Sequence, residues 1–355
     1  MITMRVRRSL PVTAGVAAAC LLTLAGCAST SGSTASAGVP VAAVPALAPR
    51  AASVASTTCK DGANQVASID PRTDNITAES SSVKPGASDT MDNIRKNGHL
   101  TVGTSGDVRL WGATIPATGT LEGYDIDLLN DIADAAGVPG KIVYRVINYG
   151  QRLTELQAKS VDVVAHTMTI NCDRWQGTGT APNPINFSTE YYRAGQKLLV
   201  RKDQATVIKT VQDLVTHKLT VCVPADSTNY EQIKGVAGLT IDPEAVVGDC
   251  LVKFQEGEVQ AITGDDTVLA GFAAQDPYAK VVVGKAFTEE PYGLGINQSD
   301  PVFTEFVNAV LQKMRDDGSL RALYVKWMLP AVGGSVPAIP QAVYGRNPAR
   351  LGRKA

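Results

Sequence analysis

The sequence predicts an α/β protein of two lobes, each built on a mainly parallel sheet and joined to the other by two crossing segments. Strand-like and helix-like stretches alternate from residue 99 to residue 328, the pattern of parallel sheets covered by helices. A second set of such units begins near residue 197, and the first set is completed only after it. The body is also large enough, at roughly 270 residues, for one two-lobed unit or two small domains. A two-lobed body has a cleft at the carboxyl ends of its strands, where open α/β sheets hold ligands. A pair of independent α/β domains is the other arrangement that this pattern allows.

The elements follow from periodicity. Residues 91–98 read as a short helix with a glycine stop, and 99–103 as the first strand. Apolar residues at helical spacing over 123–137 precede a strand at 141–146, a helix at 151–159 and a strand at 161–165. The second set has a crossing strand at 196–200, a short helix at 211–215 and a strand at 219–223. Helices at 229–234 and 248–257 follow, with strand-like Ala245-Val246-Val247 between them and a strand at 259–263. A strand at 280–283 leads to a return crossing at 290–296 and closing helices at 301–317 and 319–328. The tail from Pro330, with four prolines and four glycines, reads as irregular or disordered.

The first 27 residues read as a lipoprotein signal peptide. Arg5, Arg7 and Arg8 precede a short apolar run, which ends in Leu24-Ala25-Gly26-Cys27. Cys27 is the expected lipidation site. The Ala-, Ser- and Pro-rich stretch after it has few large side chains to bury and reads as a tether. The expected organisation is therefore signal 1–27, tether and N-terminal strap 28–88, lobe one 89–196 with 286–329, lobe two 197–285 and tail 330–355. Thirty-three basic against 34 acidic residues give no sign of a nucleic-acid partner.

Cys59, Cys172, Cys222 and Cys250 remain after the leader, an even number suited to an oxidising compartment. Four cysteines allow three pairings. Cys222 lies in a strand pattern and Cys250 follows the strand-like 245–247, so adjacent strands would pair them and leave Cys59 for Cys172. A metal site is not expected, since there is no Cys-x-x-Cys and the chain has three histidines.

Two segments could hold a zwitterion. Residues 165–174 run from a strand end through hydroxyl-bearing residues to Arg174, whose planar fork with Thr169 suits a carboxylate. Asp265 and Asp266 follow a strand and could accept an ammonium, although one of them is expected to cap the next helix.

Gly123-Tyr124-Asp125-Ile126-Asp127-Leu128, Met168-Thr169-Ile170 with Arg174, Asn186-Phe187-Ser188 and Pro291-Tyr292-Gly293, in this order, resemble the family 3 solute-binding proteins. These are polar amino-acid receptors of ABC importers, and the likeness extends to actinobacterial glutamate/glutamine/aspartate-binding lipoproteins. The resemblance implies the type II periplasmic-binding-protein fold, lobe closure over a polar amino acid and delivery to an ABC permease. It implies a monomer on the outer face of the membrane, with no cofactor and no catalytic residues. Residue by residue, it implies that Arg174 and Thr169 hold the α-carboxylate with help from Ser227 and Thr228 after Asp226. Asp266 and the Thr167 carbonyl would take the ammonium. Ser105 would line the side-chain pocket, and Arg152 would meet a side-chain carboxylate. The sequence departs from the family in an insertion at 177–182 and in Asp226, whose charge is unfavourable beside a carboxylate. The alternative function is an amino-acid sensor reporting to a membrane signalling partner.

Overall fold

The computed structural model describes residues 57–179, 181 and 183–347. The leader, Cys27 and most of the tether lie outside the described residues.

Two five-stranded sheets carry the body. The first runs in the order Ile142–Val146, Leu100–Thr104, Val163–Ala165, Gly295–Asn297, Ile185–Phe187. Its first three strands are parallel, and Gly295–Asn297 is antiparallel to both of its neighbours. The second repeats the plan with Thr240–Glu244, Thr220–Pro224, Ala261–Asp265, Gln196–Arg201 and Ala279–Val281. Here Gln196–Arg201 is the antiparallel member. It belongs to the second sheet, and the true crossing strand is Tyr192–Ala194, which pairs antiparallel with Glu290–Tyr292.

An aromatic cluster gathers at this crossing. Trp111 lies edge-on to Tyr192 and Tyr292, with ring centroids 4.7 and 5.1 Å apart, and Tyr192 stacks on Tyr292. All three rings are buried, and aromatic pairs of this kind stabilise beyond their area alone. Trp111 therefore packs the hinge and is not a platform for a ligand. Trp327 is half-buried and donates its indole N–H to Asp127.

Both disulfides pair as the sequence suggests, Cys59–Cys172 and Cys222–Cys250. The second joins a strand to a helix, because residues 245–247 are not a strand. The edge strand is Thr240–Glu244, and Val247–Glu256 is already helical. Pro243 is tolerated there because an edge strand has an open side. Packing the helix on the sheet brings Cys250 to Cys222. A three-stranded meander, Asp107–Val108, Gly112–Thr114 and Leu121–Glu122, went unpredicted because its strands are too short to show alternation.

The tail is not disordered over the described residues. Leu329–Val332 is a helical turn, and the chain beyond it bonds to the N-terminal strap, where Ser68 N–H donates to the Val343 carbonyl.

Gly123, which precedes helix Tyr124–Ala135, has φ +147°, and a Cβ there would lie 2.1 Å from the Trp111 carbonyl oxygen. Gly123→Ala is expected to destabilise the fold by about 3 kcal/mol or more, since backbone cannot yield as a side-chain tip can. Denaturant unfolding of the variant against the parent measures it.

Candidate functional site

The cleft holds a cavity of about 540 Å³ lined by loops and helices that follow strands of both sheets and by the return crossing. Arg174 sits on Cys172–Gln176, a single helical turn capped by Asn171, whose side chain accepts the Arg174 backbone N–H. The guanidinium is 7% exposed and donates to the Thr169 carbonyl at 2.6 Å. Burial, with Arg152 adding to it, pulls its pKa down to about 9, which leaves it charged at neutral pH.

Arg152 is also buried in the cavity wall. Its guanidinium lies 4.3 Å over the Tyr149 ring and donates to the Tyr149, His166 and Asp226 carbonyls. The Asp226 bond reaches the second sheet. Tyr149, which also lines the cavity, was missed by sequence reasoning. An aromatic two residues before Gln151-Arg152-Leu153 was its one available signal.

Glu290 was missed as well. Thr169 and Thr228 both donate their hydroxyls to its Oε2 at 2.7 Å, and Thr288 donates to Oε1. A hydroxyl has one hydrogen. With those hydrogens given to Glu290, Thr169 and Thr228 face the cleft with lone pairs, and neither hydroxyl hydrogen is left for a second carboxylate. Thr169 also forms a β-bridge with Tyr292 whose two bonds are made by the flanking Ile170 and Gly293, which turns its own peptide groups away from Tyr292.

The two aspartates divide differently from the expectation. Asp266 turns to the crossing, where it bonds the Gly195 peptide group in both directions. Asp265 is buried and is not among the residues lining the cavity; it accepts from the Tyr292 hydroxyl and from Asn229 Nδ2. Burial first and then Glu290 raise its carboxyl well above the usual range, and its charge acts on Arg152 and Arg174. Neither aspartate makes a side-chain cap to the following helix.

The remaining predicted residues fall as follows. Thr167 has φ +44° and gives its N–H to buried Asp125, which also accepts from Tyr191. The Gly-Tyr-Asp motif thus shapes the ligand loop. Ser227 lines the cavity, but its hydroxyl caps helix Thr228–Ile233 and donates to the Pro224 carbonyl. Ser105 is buried, donates to the Gly112 carbonyl and lines no cavity wall described above. Asp226, at φ +54°, lays its carboxylate against Gly150 at the rim. Ala181 of the insertion reaches the cavity wall, and Thr180 and Pro182 lie outside the described residues. Among the described residues no acidic, Cys or His cluster is placed to hold a metal, and no helix is long and apolar enough to cross a membrane.

Residues 100–330 match the profile of bacterial extracellular solute-binding proteins, family 3. The chain belongs to this family. This solute-binding protein is 31% identical over 252 residues to the ABC transporter glutamine-binding protein GlnH of Bacillus subtilis (strain 168), covering 69% of this chain and 86% of that one. It is 32% identical over 239 residues to the glutamate-binding protein GluB of Corynebacterium glutamicum, with 64% and 78% covered. Its fold is similar to that of an ancestral arginine-binding protein bound to glutamine, at TM-score 0.59 and 30% identity, with 65% and 98% covered. These relatives are binding proteins and not enzymes, in agreement with the receptor reading.

Proposed function

We propose that the chain receives a polar amino acid in this cleft and delivers it to an ABC permease from a lipid anchor at Cys27 on the outer face of the membrane. Lobe one comprises 89–196 with 286–329 and lobe two 197–285, acting as a monomer that closes on the ligand. The observation that carries the reading is a buried cation and a buried acid across one cleft. Arg174 presents a charged fork for the α-carboxylate, and Asp265, with the oxygens of Thr169 and Thr228 and the Thr167 carbonyl, suits the ammonium. Asp265 replaces Asp266 in this role.

The ligand class is glutamine/asparagine or glutamate/aspartate, and the amides fit the wall better. Arg152 already donates to three carbonyls, and Asp226 and Glu290 add negative charge to the lining.

Calorimetry with L-glutamine, L-glutamate, L-asparagine and L-aspartate tests the reading. Arg174→Lys is expected to weaken every ligand by at least about tenfold, because lysine keeps the charge but cannot offer parallel N–H groups. Unchanged affinity would place the carboxylate elsewhere. Arg152→Gln is expected to leave the ratio of glutamate and glutamine dissociation constants unchanged. A selective loss of glutamate would return Arg152 to a side-chain carboxylate.

The raised Asp265 carboxyl sets a pH dependence. Below its pKa the group is protonated and must lose a proton before it can pair with an ammonium. Affinity is therefore expected to tighten as pH rises from about 6 to about 8, with net proton release at neutral pH. Binding enthalpies in buffers of different ionisation heat measure that release, and none would exclude Asp265 as the acceptor.

A further inference from the structure

The family match begins at residue 100 and ends at 330, yet chain from both sides of that span converges on the turn that carries Arg174. On the N-terminal side, Cys59 is bridged to Cys172, the first residue of the turn. Trp175, next to Arg174, donates its indole N–H to the Gln65 carbonyl at 2.9 Å, and Gln65 itself lines the cavity. On the C-terminal side, Gly345 and Arg346 donate their backbone N–H groups to the Ser68 carbonyl.

Arg346 ties the two sides together. Its side chain is almost wholly buried, with its guanidinium 3.9 Å over the Trp175 ring. It donates to the Ala67 carbonyl at 2.9 Å, to Asp61 Oδ2 at 2.6 Å and to the Asn64 carbonyl at 3.4 Å. Burying a guanidinium is costly unless its donors are met, and the strap meets them.

Cys172–Gln176 has five residues. A lone turn of that length does not hold its shape in water. Its orientation, and with it the direction of the Arg174 fork, must be set from outside. The contacts that set it include the bridge at its first residue, the Asn171 cap, the edge-on packing of Trp175 against Phe187 of the first sheet, and the contacts of Trp175 with Gln65 and Arg346.

We propose that Arg346 is a positioning residue of the ligand site. With the Cys59–Cys172 bridge, it aims Arg174 at the α-carboxylate through Trp175. The inference rests on the reading of Arg174 as the carboxylate grip. Since the α-carboxylate is common to all amino acids, the clasp sets affinity and leaves selectivity to the rest of the wall.

The test is calorimetry on the full chain at a temperature well below unfolding, with L-glutamine, L-glutamate and L-arginine as probes. Arg346→Ala is expected to raise the dissociation constant of each probe that binds the parent by about tenfold, by a common factor. Arg346→Lys should recover part of the loss, because it keeps a cation beside Asp61 and over the indole. An unchanged dissociation constant in folded Arg346→Ala, or losses that differ between probes, would overturn the proposal. If Arg346→Ala does not fold, Trp175→Phe carries the test, since it keeps a ring and loses the bond to Gln65. A rise for all probes supports the clasp, and no change overturns it. Arg174→Lys separates the two readings: lost binding there with none lost in the clasp variants sinks the clasp alone, and retained binding sinks the carboxylate grip itself.

Discussion

The cleft is organised around the burial of the Arg174 charge. A guanidinium removed from water must find acceptors and opposite charge close by. Here the Thr169 carbonyl accepts directly, and the Glu290 carboxylate acts on it from the return crossing, joined by Asp265 on the second sheet once that raised carboxyl ionises. Arg152 opposes it. Cations and acids are thus held close together around the cleft.

Hydrogen-bond polarity then decides what each hydroxyl can do. Glu290 takes the single hydrogen of Thr169, on the first-lobe loop, and of Thr228, at the opening of a second-lobe helix. One carboxylate on the crossing thereby links groups from both lobes and fixes their oxygens as acceptors. A second contact works the same way at the other side of the cleft, where Asp107 Oδ2 accepts the Gly248 N–H of a second-lobe helix at 2.7 Å. Burial raises the Asp107 carboxyl, so this lobe-to-lobe bond is weakest in acid. Both contacts hold groups from the two sheets' loops and helices at hydrogen-bond distance.

The crossing itself gains stiffness from aromatic packing. Tyr192 and Tyr292 occupy facing positions on the paired strands Tyr192–Ala194 and Glu290–Tyr292, and Trp111 packs against both. The Tyr292 hydroxyl reaches Asp265, so the crossing and this buried carboxyl are one connected network. Trp111 also donates its indole N–H to Thr267 Oγ1 at 3.2 Å, just beyond that acid. The apolar bodies of these residues pack the crossing, and their polar tips find partners only once the strands pair.

Periodicity alone determined the alternating α/β plan, the interrupted first set and the position of Arg174 after a strand, because apolar spacing records which face of an element is buried. Cysteine count and strand patterns pointed to the pairs that form, Cys59 with Cys172 and Cys222 with Cys250, although Cys250 meets Cys222 from a helix packed on the sheet and not from an adjacent strand. What the sequence could not decide was direction. Asp265 and Asp266 are adjacent and identical in type, and only the pairing of Ala261–Asp265 with Gln196–Arg201 turns the first inward and the second to Gly195. Ser105 and Ser227 offered hydroxyls of the right kind, and local backbone groups claimed both. Tyr149, Glu290 and Arg346 gain their roles from partners far away in the chain. Arg346 and Trp175 meet because two terminal segments close over one helical turn, and no local pattern encodes such a contact. Residue spacing specifies which face is buried, whereas the partner of a polar atom is set by the tertiary fold.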